Sequence, residues 1–391
     1  MTVQSSHNWG FRNLIRTCAM VRLCSYTLKR SVGLPYTNLK DASVRSLTLC
    51  DGGEVPAITP FFWEKHLPRI HGAARHSAEY VIKHDLNRKT FGFRPVIAHW
   101  LKDASLIGGS VFSGRFRHEL LPVGQKFISD FSLTGPVAEI KEAALVSTCA
   151  GSTWWGHWVE DEVPLQMLAE NYSNPVVYDR NLYRDEKDYR HAFGLTEPER
   201  YKVALFEELM VIDDFAQNPD KTARYQELRK RMAILPQGHD RIFLSRGNSG
   251  VRRVLVNEEE VCLKLESIGF KTIDVTSSSA EEVIAACRGA NVVVSVEGSH
   301  LAPLLYLVDD FATLIILNPP FQVHTTVADI GVFCGLSAGM FICEPDGESM
   351  VDFRADPEEL THFIEDAVEY GFSNRSTLDS FLDRVISMAN L

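Results

Sequence analysis

The sequence predicts an α/β protein built on a doubly wound parallel sheet, and residues 240–345 carry the three observations that support this. Short apolar, β-branched runs alternate there with helical patterns of apolar residues. One run, Asn291–Val296, is apolar almost throughout, as expected for a parallel strand buried on both faces. Polar, glycine-containing loops follow two of the runs, at the positions where such sheets bind ligands.

The elements of this region are predicted from their boundaries. Asn257 is expected to cap a helix whose first turn holds Glu258, Glu259 and Glu260, and Gly269 is expected to stop that helix. Serines 277–279 are expected to open the next helix. The predicted order is strand 241–245, helix 257–268, strand 270–275, helix 280–288, strand 291–296, helix 301–307 and strand 313–317.

The N-terminal half is less regular. Strands are predicted at 144–148 and 175–178, with an apolar helix through Leu168 between them. A charged amphipathic helix is predicted over Asp220–Met232, after a linker at Asp213–Pro219. Near the C-terminus, Leu360, Phe363, Ile364 and Val368 predict an amphipathic helix with a solvated acidic face.

Composition excludes several classes of protein. The chain has 391 residues, 45% of them hydrophobic and 23% charged, which excludes bulk disorder and a collagen-like fibre. The net charge of -11 argues against a general nucleic-acid binder. No apolar run reaches the roughly 18 residues that a membrane-spanning helix needs. The eight cysteines have no zinc spacing, which favours a reducing compartment.

The N-terminus is basic and has no acidic residue before Asp41. Its apolar positions at helical spacing are Phe11, Leu14, Ile15 and Cys18, and its basic residues are Arg12, Arg16, Arg22, Lys29, Arg30 and Lys40. Three interpretations stay open: a helix on an anionic membrane surface, an organelle transit peptide, or a helix packed on the protein with a solvated basic face.

Two loops after predicted strands are candidate donor sites. In the first, Ser245, Arg246, Arg252 and Arg253 offer a hydroxyl and three guanidinium groups that match the oxygens of a diphosphate. In the second, Glu297-Gly298-Ser299-His300, Gly298 allows close backbone approach and His300 can contact a sugar or phosphate. The alternatives are a solvated basic loop and an ordinary helix cap.

A third cluster lies in the first half. His157, Glu160 and Asp161 fall at i, i+3 and i+4, so a helix places them on one face. Trp154, Trp155 and Trp158 beside them suit stacking on a carbohydrate, and the titratable groups suit base catalysis. The alternative is the acidic first turn of a surface helix. The sequence holds no P-loop, strand-linked GxGxxG, HExxH or Asp-x-Asp motif.

Together these motifs resemble glycosyltransferase family 61, also described as DUF563 proteins, and are closest to its bacterial members. The family's strand ending in Ser-Arg, its following arginines and its Asn-Glu match Ser245-Arg246, Arg252-Arg253 and Asn257-Glu258. Further matches are Glu297-Gly298-Ser299, which stands where many members have a histidine, Asn318-Pro319-Pro320, and Gly156-His157-Trp158 with Glu160, Asp161 and Pro164. The resemblance spans residues 151–335.

The resemblance implies a GT-B-like fold, with two Rossmann-like domains facing a cleft. It divides the chain into a basic arm at 1–60, an acceptor-side α/β domain at 61–214, and a nucleotide-sugar-binding domain with acidic C-terminal helices at 215–391. The implied activity is an inverting sugar transfer that needs no metal and no cofactor beyond the nucleotide-sugar donor, a UDP-sugar being the first choice. The donor-binding residues would be Ser245, Arg246, Arg252, Arg253, Asn257, Glu258, Glu297, Gly298, Ser299 and His300.

For the catalytic base, the resemblance puts Asp161 first and Glu160 second, with His157 orienting the base or replacing it. The acceptor would be a saccharide or a lipid-linked sugar, in the synthesis of a surface polysaccharide such as capsule. The expected location is the cytoplasm, with contact to the inner membrane face through the basic N-terminus.

Two rival functions are weighed against this one. A non-catalytic scaffold that keeps the fold would bind a carbohydrate or nucleotide without transfer, and the presence of both Glu160 and Asp161 argues against it. A nicotinamide oxidoreductase lacks the glycine fingerprint and the correctly spaced ribose-binding acid.

Overall fold

The structure is a computed structural model that describes residues 37–73, 76–122, 137–247 and 250–389. The predicted amphipathic helix around Phe11–Cys18, and all the basic residues of the N-terminus except Lys40, lie outside the described residues. Within the described ranges, no helix is long and apolar enough to cross a bilayer.

The predicted α/β class is confirmed by a chain that mixes helices with parallel strands. The strands of the described residues are β1 (Arg45–Cys50), β2 (Gly53–Pro56), β3 (Gly72–Ala73), β4 (His76–Ser77), β5 (Thr90–Phe93), β6 (Val96–Ile107), β7 (Ser110–Ser113), β8 (Phe116–Glu119), β9 (Ala138–Leu145), β10 (Pro175–Tyr178), β11 (Glu199–Tyr201), β12 (Val203–Asp213), β13 (Arg241–Ser245), β14 (Val254–Leu255), β15 (Lys271–Asp274), β16 (Val292–Val296), β17 (Thr313–Asn318), β18 (Ser337–Ile342), β19 (Glu344–Pro345) and β20 (Asp352–Arg354).

The helices include several that are one or two turns long. The α-helices are Leu39–Ala42, Ala78–Tyr80, Trp155–His157, Val163–Glu170, Glu186–Ala192, Pro219–Ala233, Glu258–Ser267, Ala280–Cys287, Leu304–Leu307, Thr326–Phe333, Pro357–Ser373 and Arg375–Ser387. In the described parts of the chain, 3₁₀ helices lie at Glu64–Arg69 and Ser299–Leu301, and π-helical turns lie at Val81–Leu86 and Trp158–Glu162.

The chain forms two compact units. The first unit consists of the described residues of Met1–Asp51, Pro95–Arg184 and Leu195–Ala216, and the second unit of Gly52–Arg94, Asp185–Gly194 and Gln217–Leu391. The predicted domain boundaries after residues 60 and 214, and the GT-B-like arrangement of two Rossmann-like domains facing a cleft, stay predictions.

The first unit is built on an eight-stranded mixed sheet in the order β11-β10-β9-β12-β6-β7-β8, with β1 also paired to β6. The strand predicted at 175–178 is β10, whereas the strand predicted at 144–148 overlaps β9 only at Ala144 and Leu145. The two strands run parallel, with Val176 opposite Leu145. The helices from Trp155 to Glu170 connect them. The other half of the sheet, from β12 to β8, is antiparallel, which differs from a Rossmann-like sheet.

The second unit contains the predicted parallel sheet, in the order β15-β13-β16-β17-β18. Every pair in it is parallel, with Phe243 of β13 opposite Val294 of β16. Numbered by their order in the chain, these strands lie in the order 2-1-3-4-5 across the sheet. The direction of winding therefore reverses between β13 and β16, and we call the carboxyl ends of these two strands the switch point. A doubly wound sheet of this order opens a ligand crevice at the carboxyl ends of those two strands. A ligand crevice is therefore expected beside Ser245 and Val296, where β13 and β16 end.

The helix boundaries follow the predicted signals with two differences. Ser279 caps Ala280–Cys287 through a reciprocal capping box with Glu282, as the serines predict. Asn257 precedes Glu258–Ser267 but does not cap that helix with its side chain. The helix predicted at 301–307 divides into a 3₁₀ turn and Leu304–Leu307, because Pro303 has no N–H to continue a hydrogen-bond ladder.

Residues 52–94 pack on the second unit, although the sequence analysis placed most of them in an N-terminal domain. Phe61 pairs with β18, since its N–H donates to Ala338 O at 2.8 Å and its carbonyl accepts from Met340 N at 2.7 Å. His66 is buried against the rings of Trp63, Phe341 and Phe363. This segment therefore covers the edge of the parallel sheet.

The helix Pro357–Ser373, near the C-terminus, matches its predicted pattern. Leu360, Phe363 and Ile364 are buried in the core of the second unit, together with Val294 of β16 and Ile315 of β17. The acidic first turn is capped by Asp356, which accepts from the backbone N–H of Glu359 at 2.7 Å.

Candidate functional site

Arg246 and Arg253 converge on the backbone of Glu297 at the carboxyl ends of β13 and β16. Nη1 of Arg246 donates to the carbonyl of Glu297 at 3.2 Å, and Nη1 of Arg253 donates to the same carbonyl at 3.0 Å. Arg246 also donates to the carbonyl of Val251. Nη1 of Arg253 also forms an ion pair with Oε2 of the Glu297 carboxylate. Two guanidinium groups are therefore fixed at the switch point.

Both guanidinium groups are positively charged at neutral pH. Arg246 is buried, and this burial is the main reason that its pKa is lowered to about 10. The positive charge of Arg253 lowers the pKa further, while the negative charge of Glu297 raises it. Among the described residues, Nη2 of Arg253 has no hydrogen-bond partner, so two N–H donors of this side chain are available to an anion. A buried pair of cations favours an anionic ligand.

Arg252 does not join this pair. Its side chain is 69% exposed and reaches Asp352, with Nη2 at 3.5 Å from Oδ1. Val254, two residues on, pairs with Asp352 through β14 and β20. The structure therefore brings together two of the three predicted arginines and leaves the third at the surface.

Ser245, Asn257 and Glu258 hold the helix after β13 in place. Oγ of Ser245 donates to Oε1 of Glu258 at 2.9 Å. Nδ2 of Asn257 donates to Ala355 O at 2.8 Å, and Ala355 N donates back to Oδ1 at 3.2 Å. These bonds engage the Asn257 amide with a backbone segment 98 residues away, which explains why it does not cap the helix.

The loop Glu297–His300 follows β16 directly. An added Cβ on Gly298 would lie 3.0 Å from Nδ1 of His300 and 3.4 Å from Cζ of Arg246. A side chain at position 298 would therefore crowd His300 and Arg246, and the predicted close approach of a ligand to Gly298 stays a prediction. Ser299 is exposed and begins the 3₁₀ turn, for which the structure shows no side-chain cap.

His300 is held in one tautomer by Ser295. Oγ of Ser295 donates its only proton to Leu244 O at 2.6 Å, and it lies 2.8 Å from Nε2 of His300. Nε2 must therefore carry the hydrogen, which leaves Nδ1, beside Gly298, as an acceptor. Burial, followed by the charges of Arg246 and Arg253, lowers the pKa of His300 to about 3. A neutral imidazole that accepts a hydrogen bond suits a hydroxyl or N–H group of a ligand and not a phosphate oxygen.

The first unit brings His157 and Asp161 together. Nδ1 of His157 lies 2.8 Å from Oδ2 of Asp161. The Asp161 side chain is 8% exposed and that of His157 is 32% exposed, so the imidazole is the accessible member of the pair. The ring of Phe215 stacks on His157 at a centroid distance of 5.8 Å.

The local backbone around this pair is a π-helical turn, Trp158–Glu162, and not the regular α-helix predicted. Such turns are often found at functional sites. Glu160 is buried in this turn. Glu162, which the sequence analysis missed, accepts from Thr148 N at 2.5 Å and from Thr148 Oγ1 at 3.2 Å. It joins the end of the π-helical turn to the loop that follows β9.

Three further residues at the switch point escaped the sequence analysis. They are Ser295, which orients His300; Gln322, whose Oε1 accepts from Nε of Arg253 at 3.1 Å; and His324. The pKa of His324 is lowered, chiefly by burial, while Glu297 raises it and Arg253 lowers it. A polar side chain shortly after a buried strand is the signal that could have indicated Gln322 and His324.

Residues 155–315 match the family model described as Glycosyltransferase 61. The matched segment is less than half of the chain, and it contains every residue that the sequence analysis assigned to catalysis or donor binding. A search of curated proteins finds no match. Over residues 155–315 the chain is similar to glycosyltransferase family 61, and this similarity supports a glycosyltransferase.

Proposed function

We propose that the chain is an inverting glycosyltransferase that moves a sugar from a nucleotide-sugar donor to a saccharide or glycolipid acceptor without a metal ion. The observation that carries the proposal is the pair of arginines fixed at the switch point of a doubly wound sheet, inside the segment that matches the family. Doubly wound sheets bind ligands at this place, and guanidinium groups suit phosphate oxygens.

The leaving group of the reaction is a nucleoside diphosphate, which gains negative charge as the bond to the sugar breaks. Arg246 and Nη2 of Arg253 supply fixed positive charge where that charge develops. Because both side chains are already held by Glu297, little reorganisation is needed during the reaction. Nδ1 of His300 can accept a hydrogen bond from a hydroxyl or N–H group of the donor.

Inversion is a single displacement, so one base must take the proton of the acceptor hydroxyl. The expectation from the sequence put Asp161 first, but the geometry favours His157. Asp161 is buried and engages Nδ1, which orients the ring and stabilises its protonated form. Nε2 of His157 then accepts the proton, the acceptor oxygen bonds to the anomeric carbon, and the electron pair of the broken bond leaves with the diphosphate.

The wider setting is proposed from the family resemblance and from the basic N-terminus. A UDP-sugar is the first donor to test, and the product would be a surface polysaccharide such as capsule. The chain would work in the cytoplasm, touching the inner membrane face through its basic N-terminal segment.

The test is release of nucleoside diphosphate from a panel of UDP-, GDP-, CDP-, ADP- and dTDP-sugars, with and without oligosaccharide acceptors, followed by NMR of the anomeric product. His157→Ala and Asp161→Asn should each slow transfer about 100-fold or more and spare nucleotide binding. The exposed His239 gives the control, His239→Ala, which should change neither. Nucleotide binding without transfer to any acceptor would favour the non-catalytic scaffold, and a product of retained configuration would contradict inversion.

A further inference from the structure

Three aromatic side chains of the second unit stack in a column that the proposed mechanism does not use. The ring centroids of His76 and Tyr80 lie 4.1 Å apart at an interplanar angle of 13°, and those of Tyr80 and His84 lie 4.6 Å apart at 35°. His76 and His84 are exposed, and Tyr80 is 41% exposed. The column lies outside the segment that matches the family.

The fold does not depend on this column for its anchoring. The turns that carry it, Ala78–Tyr80 and Val81–Leu86, are held by Val81 and Leu86, which are both fully buried. The stacked rings lie on the accessible side of the same turns. Tyr80 lies between the two imidazoles, so the outer faces of His76 and His84 are the flat surfaces that this stack offers to a ligand.

The backbone just before the column is hydrogen-bonded to residues 320–323, which lie next to Arg253. His71 N donates to Pro320 O at 2.7 Å, and Val323 N donates to Gly72 O at 3.1 Å. Ala73 forms a β-bridge with Gln322, whose side chain accepts from Arg253. His76 therefore lies three residues after Ala73, which pairs with Gln322, the residue that accepts a hydrogen bond from Arg253.

His324 directly follows Val323, whose N–H donates to Gly72 O, so its backbone lies beside the segment that leads to His76. After the effect of burial, the pKa of this part-buried imidazole is raised by Glu297 and Asp85 and lowered by Arg253 and His76. Asp85 and His76 belong to the segment that carries the column, and Glu297 and Arg253 belong to the switch point.

We infer that the column of His76, Tyr80 and His84 is the surface on which the nucleobase of the donor packs. The inference rests on the proposed function. A nucleotide sugar combines an anionic diphosphate with one planar aromatic ring system, and the second unit places fixed arginines beside stacked exposed rings. Stacking on aromatic side chains is available to every base, so the column fixes the position of the nucleotide and does not select its base.

The experiment measures binding to the full-length chain by calorimetry, with UDP, GDP, CDP, ADP and dTDP as nucleotide probes and inorganic pyrophosphate as the probe without a base. Tyr80→Ala and His76→Ala should weaken binding of the preferred nucleotide by about 5- to 150-fold and leave pyrophosphate binding unchanged. Tyr80→Phe should keep nucleotide affinity. The matched control is Tyr172→Ala, since Tyr172 is a similarly exposed tyrosine of the first unit. Melting curves confirm that each variant is folded.

The outcomes separate this inference from the proposed function. If Tyr80→Ala and His76→Ala bind the nucleotide as tightly as the wild type, while Arg253→Met weakens nucleotide and pyrophosphate alike, the column is not a base site and the diphosphate site stands. If the column variants weaken pyrophosphate as much as the nucleotide, they act by displacing Gln322 and Arg253, and stacking is wrong. If the wild type binds no nucleotide, both ideas fail.

Discussion

Replacing Arg253 with methionine should destabilise the second unit far more than the same change at the neighbouring Arg252. The Arg253 side chain is 10% exposed, and the carboxylate it pairs with, Glu297, is 11% exposed. Removing one partner of a buried pair leaves the other charge uncompensated and costs about 3–5 kcal/mol. Arg252 is 69% exposed, and a surface pair contributes about 0–1 kcal/mol. We therefore expect a loss of about 3 kcal/mol for Arg253→Met and less than about 1 kcal/mol for Arg252→Met.

The assay is urea unfolding at pH 7, followed by far-ultraviolet circular dichroism and compared through the transition midpoints. Arg253→Met combined with Glu297→Gln should regain part of the lost stability, because the buried carboxylate is then replaced by a neutral amide. Equal midpoints for Arg252→Met and Arg253→Met would refute the reasoning, since they would mean that the ion pair with Glu297 is not buried in solution.

Three further predictions concern single residues around the switch point. The pKa of His300 is about 3 in the folded chain and about 6.5 in the unfolded chain, so the unfolded state binds the proton more readily between these values. Stability should therefore fall as the pH drops from 6.5 towards 3. His300→Gln should reduce this pH dependence, which urea midpoints at about pH 5 and 7 would measure. Gly298→Ala should lower the free energy of unfolding by about 1–3 kcal/mol, because the added methyl group crowds His300 and Arg246, and it should weaken nucleotide binding. The control is Ser299→Ala at the exposed neighbouring residue, which should leave stability unchanged in the same urea assay. Asn257→Ala should lose about 1–3 kcal/mol of stability, because two buried hydrogen bonds to Ala355 disappear, yet calorimetry should show unchanged nucleotide affinity; weaker binding would instead support the donor-binding role expected from the sequence.

The parallel sheet and its two functional loops could be predicted because their signals are local. A run such as Asn291–Val296 is apolar almost throughout only where both faces are buried, and the polar residues after it then lie at the carboxyl end of a strand. Arg246 and Glu297 each follow a buried strand directly, so strand position alone places them at one edge of the sheet. His157 and Asp161 were paired by helical spacing, and the π-helical turn still brings them into hydrogen-bond contact.

The rest depends on contacts between residues far apart in the chain. Arg252 and Arg253 are adjacent and chemically alike, and only the pairing of β14 with β20, about 100 residues away, directs one outward to Asp352 and the other inward to Glu297. Asn257 is of a residue type that often caps helices, but its side-chain amide is hydrogen-bonded to the backbone of Ala355 instead. Residues 52–94 have no local sign that they pack on the second unit, because their partner is the edge of β18.

The central claim is that the arginines at the switch point hold the diphosphate of a nucleotide sugar. Thermal unfolding with UDP, GDP, CDP, ADP and dTDP tests it most directly, since a ligand at 100 times its dissociation constant adds about 2.7 kcal/mol of stability. We expect the midpoint to rise with at least one of these nucleotides in the wild type and in Arg252→Met, and to stay unchanged in the Arg253→Met, Glu297→Gln double variant. No rise with any nucleotide, or a full rise in the double variant, would contradict the claim.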